Sequence, residues 1–235
     1  YQAKENSNLM LRDPRGQNRR TLVATNGQWR FGPVVNNLGL PLDLTLERRP
    51  GTVLGGWYLQ SQKNAGVIYS ALGINGARLE VQNKWQPGWQ DTLKSLRPDL
   101  VILAYGTNEA FDDTLDLNLY QAQLQQSLER LRRDFPRAVV LLIGPSDSIK
   151  QRKAQGCAAR QPRPLAAIVR IQRQAAAQAN ALFWDWQAYM GGQCSITAWQ
   201  AQGLARGDLV HLTADGYRKS AAGLYGYLRT QLKLN

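Results

Sequence analysis

The chain has 235 residues, of which 43% are hydrophobic and 20% charged, and its formal net charge is +12. This length allows one sizeable core, or one core with a small annex. The composition excludes the disordered and fibrous classes, and no apolar run approaches the about 20 residues that span a bilayer. The positive charge favours anionic partners. Because the basic residues are scattered and accompany no nucleic-acid-binding motif, we expect no nucleic-acid partner.

The first part of the chain, residues 1–65, alternates short apolar runs with turn-forming residues. The alternation in "LDLTLE" (42–47) predicts an antiparallel strand, and Asn26-Gly27 predicts a β-hairpin. From residue 66 onward, apolar runs alternate with segments of helical periodicity, which indicates βαβ units and a parallel sheet. We therefore predict a β-rich region over 1–65 and an α/β core over 66–235.

Four nearly continuous apolar runs in the second part predict strands that are covered on both faces. These runs are "GVIYSALG" (66–73), "DLVILAYG" (99–106), "AVVLLIG" (138–144) and "ALFWDW" (181–186).

Three segments carry residues at helical spacing, and we expect all three stripes to lie in the core. The last helix is predicted to start at Thr213, a favourable N-cap residue. The stripes are Leu117, Tyr120, Leu124, Leu128 and Leu131; Leu165, Ile168, Val169, Gln172, Ala175 and Ala179; and Tyr217, Ala221, Leu224, Leu228 and Leu232.

The chain contains two cysteines, Cys157 and Cys194, and one histidine. This set is too small for a four-ligand zinc site, so no metal site is expected. We expect a disulfide, which would close a loop of about 38 residues and stabilise the fold by about 4 kcal/mol. A disulfide would indicate an oxidising compartment. Two unpaired buried thiols are the alternative.

Three unusual segments follow or flank predicted strands: "ALGINGA" (71–77), "AYGTNEA" (104–110) and "DLVH" (208–211). Ligands of an open parallel sheet bind beyond the carboxyl ends of its strands. We therefore expect polar groups from these separate loops to converge on one rim.

His211 is the only histidine of the chain, and Asp208 precedes it by three residues. A carboxylate that accepts a hydrogen bond from one imidazole nitrogen fixes the tautomer and leaves the other nitrogen to act as a general base. An Asn side chain and a glycine amide are the donors that an oxyanion hole needs. Taken alone, the Asp-x-x-His string is also compatible with a purely structural histidine. Glu109, which could tune the site or simply cap a helix, is left outside the predicted catalytic set.

The strings "GINGA", "YGTNEA" and "DLVH" followed by "TADGY" resemble the second, third and fifth blocks of the SGNH hydrolases, and in particular the peptidoglycan O-acetylesterases. "FWDWQAYMGGQCS" and the segment around Cys157 also resemble that group. The resemblance implies an α/β/α sandwich with a parallel sheet and no cofactor. It implies that Gly73 and Asn108 form the oxyanion hole, that His211 is the base and that Asp208 orients it. Residues 1–65 resemble the latter part of a carbohydrate-binding-module-like insert.

The first block of that family, a Gly-Asp-Ser sequence with the nucleophile, does not occur in this chain. "GPSDS" (144–148) is the nearest string, but it follows a strand where the family has a different loop, so neither Ser146 nor Ser148 is assigned. We expect the nucleophile upstream of Tyr1. The chain, which begins with Tyr rather than Met, is accordingly expected to be the C-terminal part of a processed precursor and to pair with its N-terminal segment.

The resemblance implies a periplasmic or otherwise extracytoplasmic esterase that hydrolyses the acetyl ester at C6 of N-acetylmuramic acid in peptidoglycan, a partner whose peptide carboxylates suit a basic surface. Two alternatives remain open at this point. One is an esterase or acyltransferase that acts on another polysaccharide. The other is a catalytically inactive cell-wall-binding protein.

Overall fold

A computed structural model describes residues 1–61, 63, 66–85 and 89–233. It contains two compact units, Tyr1–Ala71 and Leu72–Asn235. The boundary that the sequence suggested, between residues 65 and 66, lies a few residues earlier than the boundary between the units.

The first unit contains a three-stranded antiparallel sheet in the order β2-β1-β3, formed by β1 (Ser7–Asp13), β2 (Gly16–Leu22) and β3 (Asp43–Leu46). The prediction of antiparallel strands, including one within 42–47, is confirmed. The predicted hairpin at Asn26-Gly27 is wrong, because the hairpin between β1 and β2 closes earlier, where Asp13 lies opposite Gly16. Asn26 and Gly27 instead form a turn beyond β2.

The second unit contains a three-stranded parallel sheet in the order β4-β5-β6. Its strands are β4 (Leu100–Ala104), β5 (Val139–Ile143) and β6 (Leu182–Trp184). A 3-10 helix, Leu79–Lys84, precedes the α-helices, which are α1 (Trp89–Lys94), α2 (Thr107–Ala110), α3 (Leu117–Asp134), α4 (Cys157–Arg160), α5 (Leu165–Gln178), α6 (Trp186–Met190), α7 (Ser195–Ala201) and α8 (Ala214–Leu232).

Three of the four predicted parallel strands are confirmed as β4, β5 and β6. The strand predicted over 66–73 is wrong: its backbone is irregular, and Val67 and Tyr69 are 94% and 81% exposed. An apolar run becomes a strand only when a neighbouring strand supplies hydrogen-bond partners. Among the described residues, no strand pairs with this segment.

Helices α3 and α5 pack against each other and against the sheet to form the larger core. The core stripes predicted on these two helices are confirmed, with Leu124, Leu128 and Ile168 at most 2% exposed. Burial of each such side chain contributes about 1.5 to 3 kcal/mol.

Strand β4 is less covered than β5. The side chains of Val101 and Leu103 pack against the larger core, but Ala104 is exposed and Ile102 is 37% exposed. Within the described residues β4 pairs only with β5, so its second edge has no strand neighbour. The expectation of cover on both faces therefore holds for β5 and is wrong for β4.

Helix α8 begins as predicted, since Oγ1 of Thr213 accepts a hydrogen bond from the backbone N–H of Gly216 at 3.2 Å. Its predicted apolar stripe is not in the core, because only Gly216 and Ser220 are buried. Trp186 donates from Nε1 to Oγ of Ser220 at 3.0 Å, and a Cβ on Gly223 would lie 2.3 Å from the Tyr189 ring. Small residues therefore let α8 approach α6 closely, while Leu224, Leu228 and Leu232 of the apolar stripe are only half-buried.

A smaller core lies beneath the segment that leads into α8. It contains Ile149, Met190, Ile196, Trp199, Ala205 and Leu212. Beside it, Cys157 and Cys194 are joined by a disulfide, with their Cα atoms 5.8 Å apart. In the described part of the chain, none of the helices combines the length and apolarity that a bilayer crossing requires.

Candidate active site

The structure brings the Asp208 carboxylate and the His211 ring together. Oδ2 of Asp208 lies 2.9 Å from Nδ1 of His211, while Oδ1 accepts hydrogen bonds from the backbone N–H groups of Val210 and His211, both at 2.9 Å. The His211 side chain is 64% exposed. With Nδ1 engaged by the carboxylate, Nε2 is the nitrogen available for proton transfer.

Packing and backbone hydrogen bonds hold the loop that carries this pair. Leu212, directly after His211, is 1% exposed in the smaller core and forms a β-bridge with Ala205. The backbone N–H of Arg206 donates to the carbonyl of His211 at 2.8 Å, and that of Ile149 donates to the carbonyl of Leu209 at 2.9 Å. The exposed imidazole therefore projects from an anchored loop.

The electrostatics of Asp208 favour its ionised form. Partial burial raises the pKa of this carboxyl, but hydrogen bonds from the backbone N–H groups of His211 and Val210 and from the His211 ring outweigh it and lower the pKa to about 2. The carboxylate is therefore charged at neutral pH, as a group that stabilises an imidazolium must be.

The end of β4 places a second group of polar atoms. Gly106 adopts a φ of 121° at the start of α2, which brings Asn108 to the surface. Nδ2 of Asn108 donates to the carbonyl of Ala77 at 2.9 Å. Because a carboxamide nitrogen carries two hydrogens, the second N–H remains for another acceptor.

Gly73 is exposed, and a Cβ added to it would meet no atom within 4 Å. The chain then turns, with the backbone N–H of Ala77 donating to the carbonyl of Ile74 at 3.1 Å and with Gly76 at a φ of 75°. The contact between Asn108 and Ala77 thus ties the segment after Gly73 to the carboxyl end of β4. The two predicted oxyanion donors come from linked loops.

A cleft of about 160 Å³ opens between the carboxyl ends of β4 and β5. Asn108 lines it together with Pro145 and Trp186. The ring of Trp186 lies 6.5 Å from that of Tyr217, at the start of α8. None of the hydrogen bonds of the described residues joins His211 directly to Asn108 or Gly73, and His211 does not line this cleft.

Neither serine of "GPSDS" is placed to act as a nucleophile. Ser146 and Ser148 are only 5% and 1% exposed. Asp147 between them accepts hydrogen bonds from the Gln187 side chain at 3.0 Å and from the backbone N–H of Ile196 at 2.9 Å. In the part of the chain that the structure describes, no serine hydroxyl hydrogen-bonds to His211, so the nucleophile stays a prediction.

Glu109 caps the start of α2, as one of its two predicted roles requires, and it also joins two backbone segments. Its side chain is 2% exposed, and its two oxygens accept hydrogen bonds from the backbone N–H groups of Leu79 at 2.7 Å and of Gly106 at 2.9 Å. The hydrogen bond from Leu79 could not be predicted from the sequence, because Leu79 lies 30 residues before Glu109.

The parallel sheet, the Asp–His pair ahead of the last helix and the Asn side chain that follows β4 define an SGNH-type α/β hydrolase fold. The family model of the GDSL-like lipases/acylhydrolases matches residues 33–219. The chain therefore belongs to this family.

Two solved structures show what the chain is similar to. One is a peptidoglycan O-acetylesterase with 30% sequence identity and a TM-score of 0.74, and the match covers 100% of this chain and 67% of that one. The other is an acetyl xylan esterase with 19% identity and a TM-score of 0.53, covering 66% of this chain and 78% of that one, which supports the fold alone. No curated protein matches the chain.

Proposed function

We propose that this protein is a peptidoglycan O-acetylesterase that acts outside the cytoplasm and hydrolyses the acetyl ester at C6 of N-acetylmuramic acid. Membership of the GDSL-like family and similarity to a peptidoglycan O-acetylesterase support ester hydrolysis. The observation that carries the proposal is the contact of 2.9 Å between Asp208 and Nδ1 of an exposed His211. This contact orients the imidazole as a general base.

The proposed reaction proceeds in two steps. A serine oxygen attacks the acetyl carbonyl carbon while Nε2 of His211 accepts the serine proton, and Asp208 stabilises the resulting imidazolium. The oxyanion is stabilised by the backbone N–H of Gly73, the second side-chain N–H of Asn108 and the backbone N–H of the serine. His211 then protonates the sugar oxygen as it leaves. In the second step His211 takes a proton from water, which attacks the acetyl-serine. His211 then gives this proton to the departing serine oxygen, which releases acetate and restores the serine and the neutral imidazole.

We place the nucleophilic serine on a segment of the same protein that lies outside these 235 residues. Three features of the second unit support this: the open edge of β4, the exposed residues Ile102 and Ala104, and the incompletely buried apolar stripe of α8. Moreover, the peptidoglycan O-acetylesterase contains a third of its length without a counterpart here, since this chain covers 67% of it. A strand added beside β4 would cover apolar surface and bring a residue to the carboxyl edge of the sheet.

The substrate class is supported by a positive charge beside the loop that carries the imidazole. Arg152 donates from Nη2 to the carbonyl of Gly207, the residue before Asp208, at 2.9 Å. Arg152 takes part in none of the ion pairs formed by the described residues. Its guanidinium retains further N–H donors for an anion. The peptide carboxylates of peptidoglycan are such anions.

The test is acetate release from O-acetylated peptidoglycan and from a neutral chromogenic acetate ester. The full-length protein, its His211→Ala variant and the 235-residue chain are compared. We expect the full-length protein to hydrolyse both esters and His211→Ala to lose at least about 1,000-fold in kcat. Gln202→Ala, which alters another exposed side chain, is the control and should retain full activity.

Four other outcomes would each contradict a part of the proposal. Full activity of His211→Ala would end the assignment of the base. Hydrolysis by the 235-residue chain alone would place the nucleophile within it. Hydrolysis of acetylated xylan but not of peptidoglycan would favour another polysaccharide as substrate. Binding to cell wall without any ester hydrolysis would indicate a binding protein built on an esterase fold.

A further inference from the structure

In the loop after Gly73, the consecutive residues 77–79 each contact a side chain of the short segment 108–112, which includes most of α2. Asn108 donates to the carbonyl of Ala77 at 2.9 Å, and Asp112 forms an ion pair with Arg78 at 2.8 Å. Glu109 accepts from the backbone N–H of Leu79 at 2.7 Å. The loop that carries one predicted oxyanion donor is thus attached to the segment that carries the other.

The contact made by Glu109 is the most enclosed of the three. Its side chain is 2% exposed, as is that of Leu79, the first residue of the 3-10 helix. One carboxylate oxygen accepts from Leu79 and the other accepts from the N–H of Gly106, directly after the end of β4. Charge-assisted hydrogen bonds of this kind are stronger than neutral ones, so the carboxylate is a rigid bridge between the two backbones.

We propose that Glu109 is a positioning residue that sets the geometry of the oxyanion hole. This inference rests on the proposed function. Because the bridge spans Leu79 and Gly106, it fixes the loop that follows Gly73 against the turn that presents Asn108. Donors stabilise an oxyanion only when they are held within a few tenths of an ångström of the productive position. Glu109 makes this placement without contacting the substrate.

The bridge requires a carboxylate. A glutamine of the same size has one acceptor oxygen, and its NH₂ group would face one of the two backbone N–H donors. Glu109→Gln therefore loses one hydrogen bond and opposes two donors in a buried site. Glu109→Asp keeps two acceptor oxygens and the charge, but it is one methylene shorter and reaches the two N–H groups less well.

The first measurement is the steady-state kinetics of the full-length protein with the neutral acetate ester and with O-acetylated peptidoglycan. Glu109→Gln should lower kcat by about 10- to 100-fold and leave KM nearly unchanged, because the oxyanion develops only in the transition state. The shape of the pH–rate profile should not change, since Asp208 and His211 are untouched. Glu109→Asp should recover part of the lost kcat.

A double-mutant cycle with Asn108→Ala separates positioning from a general structural effect. If Glu109 acts through the placement of Asn108, the double variant should be little slower than Asn108→Ala alone. Losses that multiply would show that Glu109 does not act through the placement of Asn108. Asp116→Ala is the matched control: this carboxylate also accepts from two backbone N–H groups, those of Asn118 and Leu119, at 2.9 and 3.0 Å. It should lower stability and leave kcat unchanged.

Amide hydrogen exchange at Leu79 and Gly106 distinguishes failure of the inference from failure of the proposed function. We expect both amides to exchange faster in Glu109→Gln than in the unmodified protein. If the unmodified protein hydrolyses neither ester, the proposed function fails, whatever the exchange rates. If it hydrolyses them and Glu109→Gln keeps its kcat or its slow exchange at these two amides, only the positioning role fails.

Discussion

Asp208 holds His211 at two places: one carboxylate oxygen accepts from its backbone N–H at 2.9 Å, and the other lies 2.9 Å from Nδ1 of its ring. The same side chain therefore shapes the turn and orients the imidazole. A histidine whose backbone and ring are both held by one carboxylate has few accessible orientations, although its side chain is 64% exposed. This arrangement is what general-base catalysis requires.

Replacement of Asp208 by asparagine should impair catalysis without unfolding the protein. The side-chain oxygen of the asparagine could still accept the two backbone hydrogen bonds, but the neutral amide can present an N–H to Nδ1 of His211, which favours the wrong tautomer and does not stabilise the imidazolium. We expect kcat for the neutral ester to fall by about 1,000- to 10,000-fold. A loss below tenfold, measured with an unchanged melting temperature, would contradict this role.

The stability of the protein should depend on the ionisation of Asp208 only in acid. The pKa of this carboxyl is about 2 in the folded protein, below its usual 3.8. A lowered folded-state pKa contributes stability that is present above about pH 4 and is lost as the pH falls towards 2. Urea unfolding of the protein and of Asp208→Asn should therefore differ in free energy at pH 5, where the carboxyl is ionised in both the folded and the unfolded protein. The difference should shrink below pH 4, and a difference independent of pH throughout would show that the carboxylate charge contributes nothing.

Gly106→Ala should destabilise the second unit. Gly106 has a φ of 121°, and an added Cβ would lie 3.0 Å from both Nε2 of Gln172 and Cδ of Pro145. Strain and crowding together should lower the free energy of unfolding by about 2 to 4 kcal/mol, which denaturant unfolding can measure. Gly27 also has a positive φ, 77°, but open space around it. Gly27→Ala should therefore cost only about 1 kcal/mol, and equal losses would show that crowding at Gly106 is unimportant.

Removal of the disulfide should lower stability through the unfolded state. The bond joins cysteines separated by 37 residues. On the chain-entropy model, its loss in Cys157→Ala/Cys194→Ala should reduce the free energy of unfolding by about 2 to 4 kcal/mol. Each single variant should lose about as much as the double variant, because either change breaks the bond. A reducing agent should lower the melting temperature of the unmodified protein but not that of the double variant.

Arg152 should contribute to the recognition of anionic substrate. Its hydrogen bond to Gly207 places a guanidinium beside the Asp–His loop. Arg152→Ala should raise KM for O-acetylated peptidoglycan by about tenfold and should weaken the inhibition by salt, because it removes a screened attraction. The neutral ester should be hydrolysed as before. Arg137→Ala removes an exposed charge at the opposite end of β5 and is the control; equal effects of the two variants would indicate net charge rather than a local contact.

Local patterns predicted several elements because their causes lie within a few residues. Continuous apolar runs predicted β4, β5 and β6, and helical spacing predicted α3, α5 and α8. The contact between Asp208 and His211 is also local, since a carboxylate three residues before a histidine can accept from its backbone and ring in one turn. Asn108 was predicted as an oxyanion donor partly through its place at a strand end, and β4 does end shortly before it.

Features that depend on distant partners could not be inferred in this way. The apolar run over 66–73 predicted a strand, but strand formation requires a neighbour that pairs with it. The apolar stripe of α8 predicted a buried face, yet the small residues Gly216 and Ser220 are buried instead, because they allow close contact with neighbouring segments.

The sequence by itself therefore determined the α/β class of the second unit and the contact between Asp208 and His211, because these depend on periodicity and short spacing. Only the tertiary structure decided that Glu109 is buried between Leu79 and Gly106. The physical reason is that Leu79, a hydrogen-bond partner of Glu109, lies 30 residues away along the chain. The residues around Glu109 do not indicate this partner, because it becomes a neighbour only when the fold brings the two backbones together.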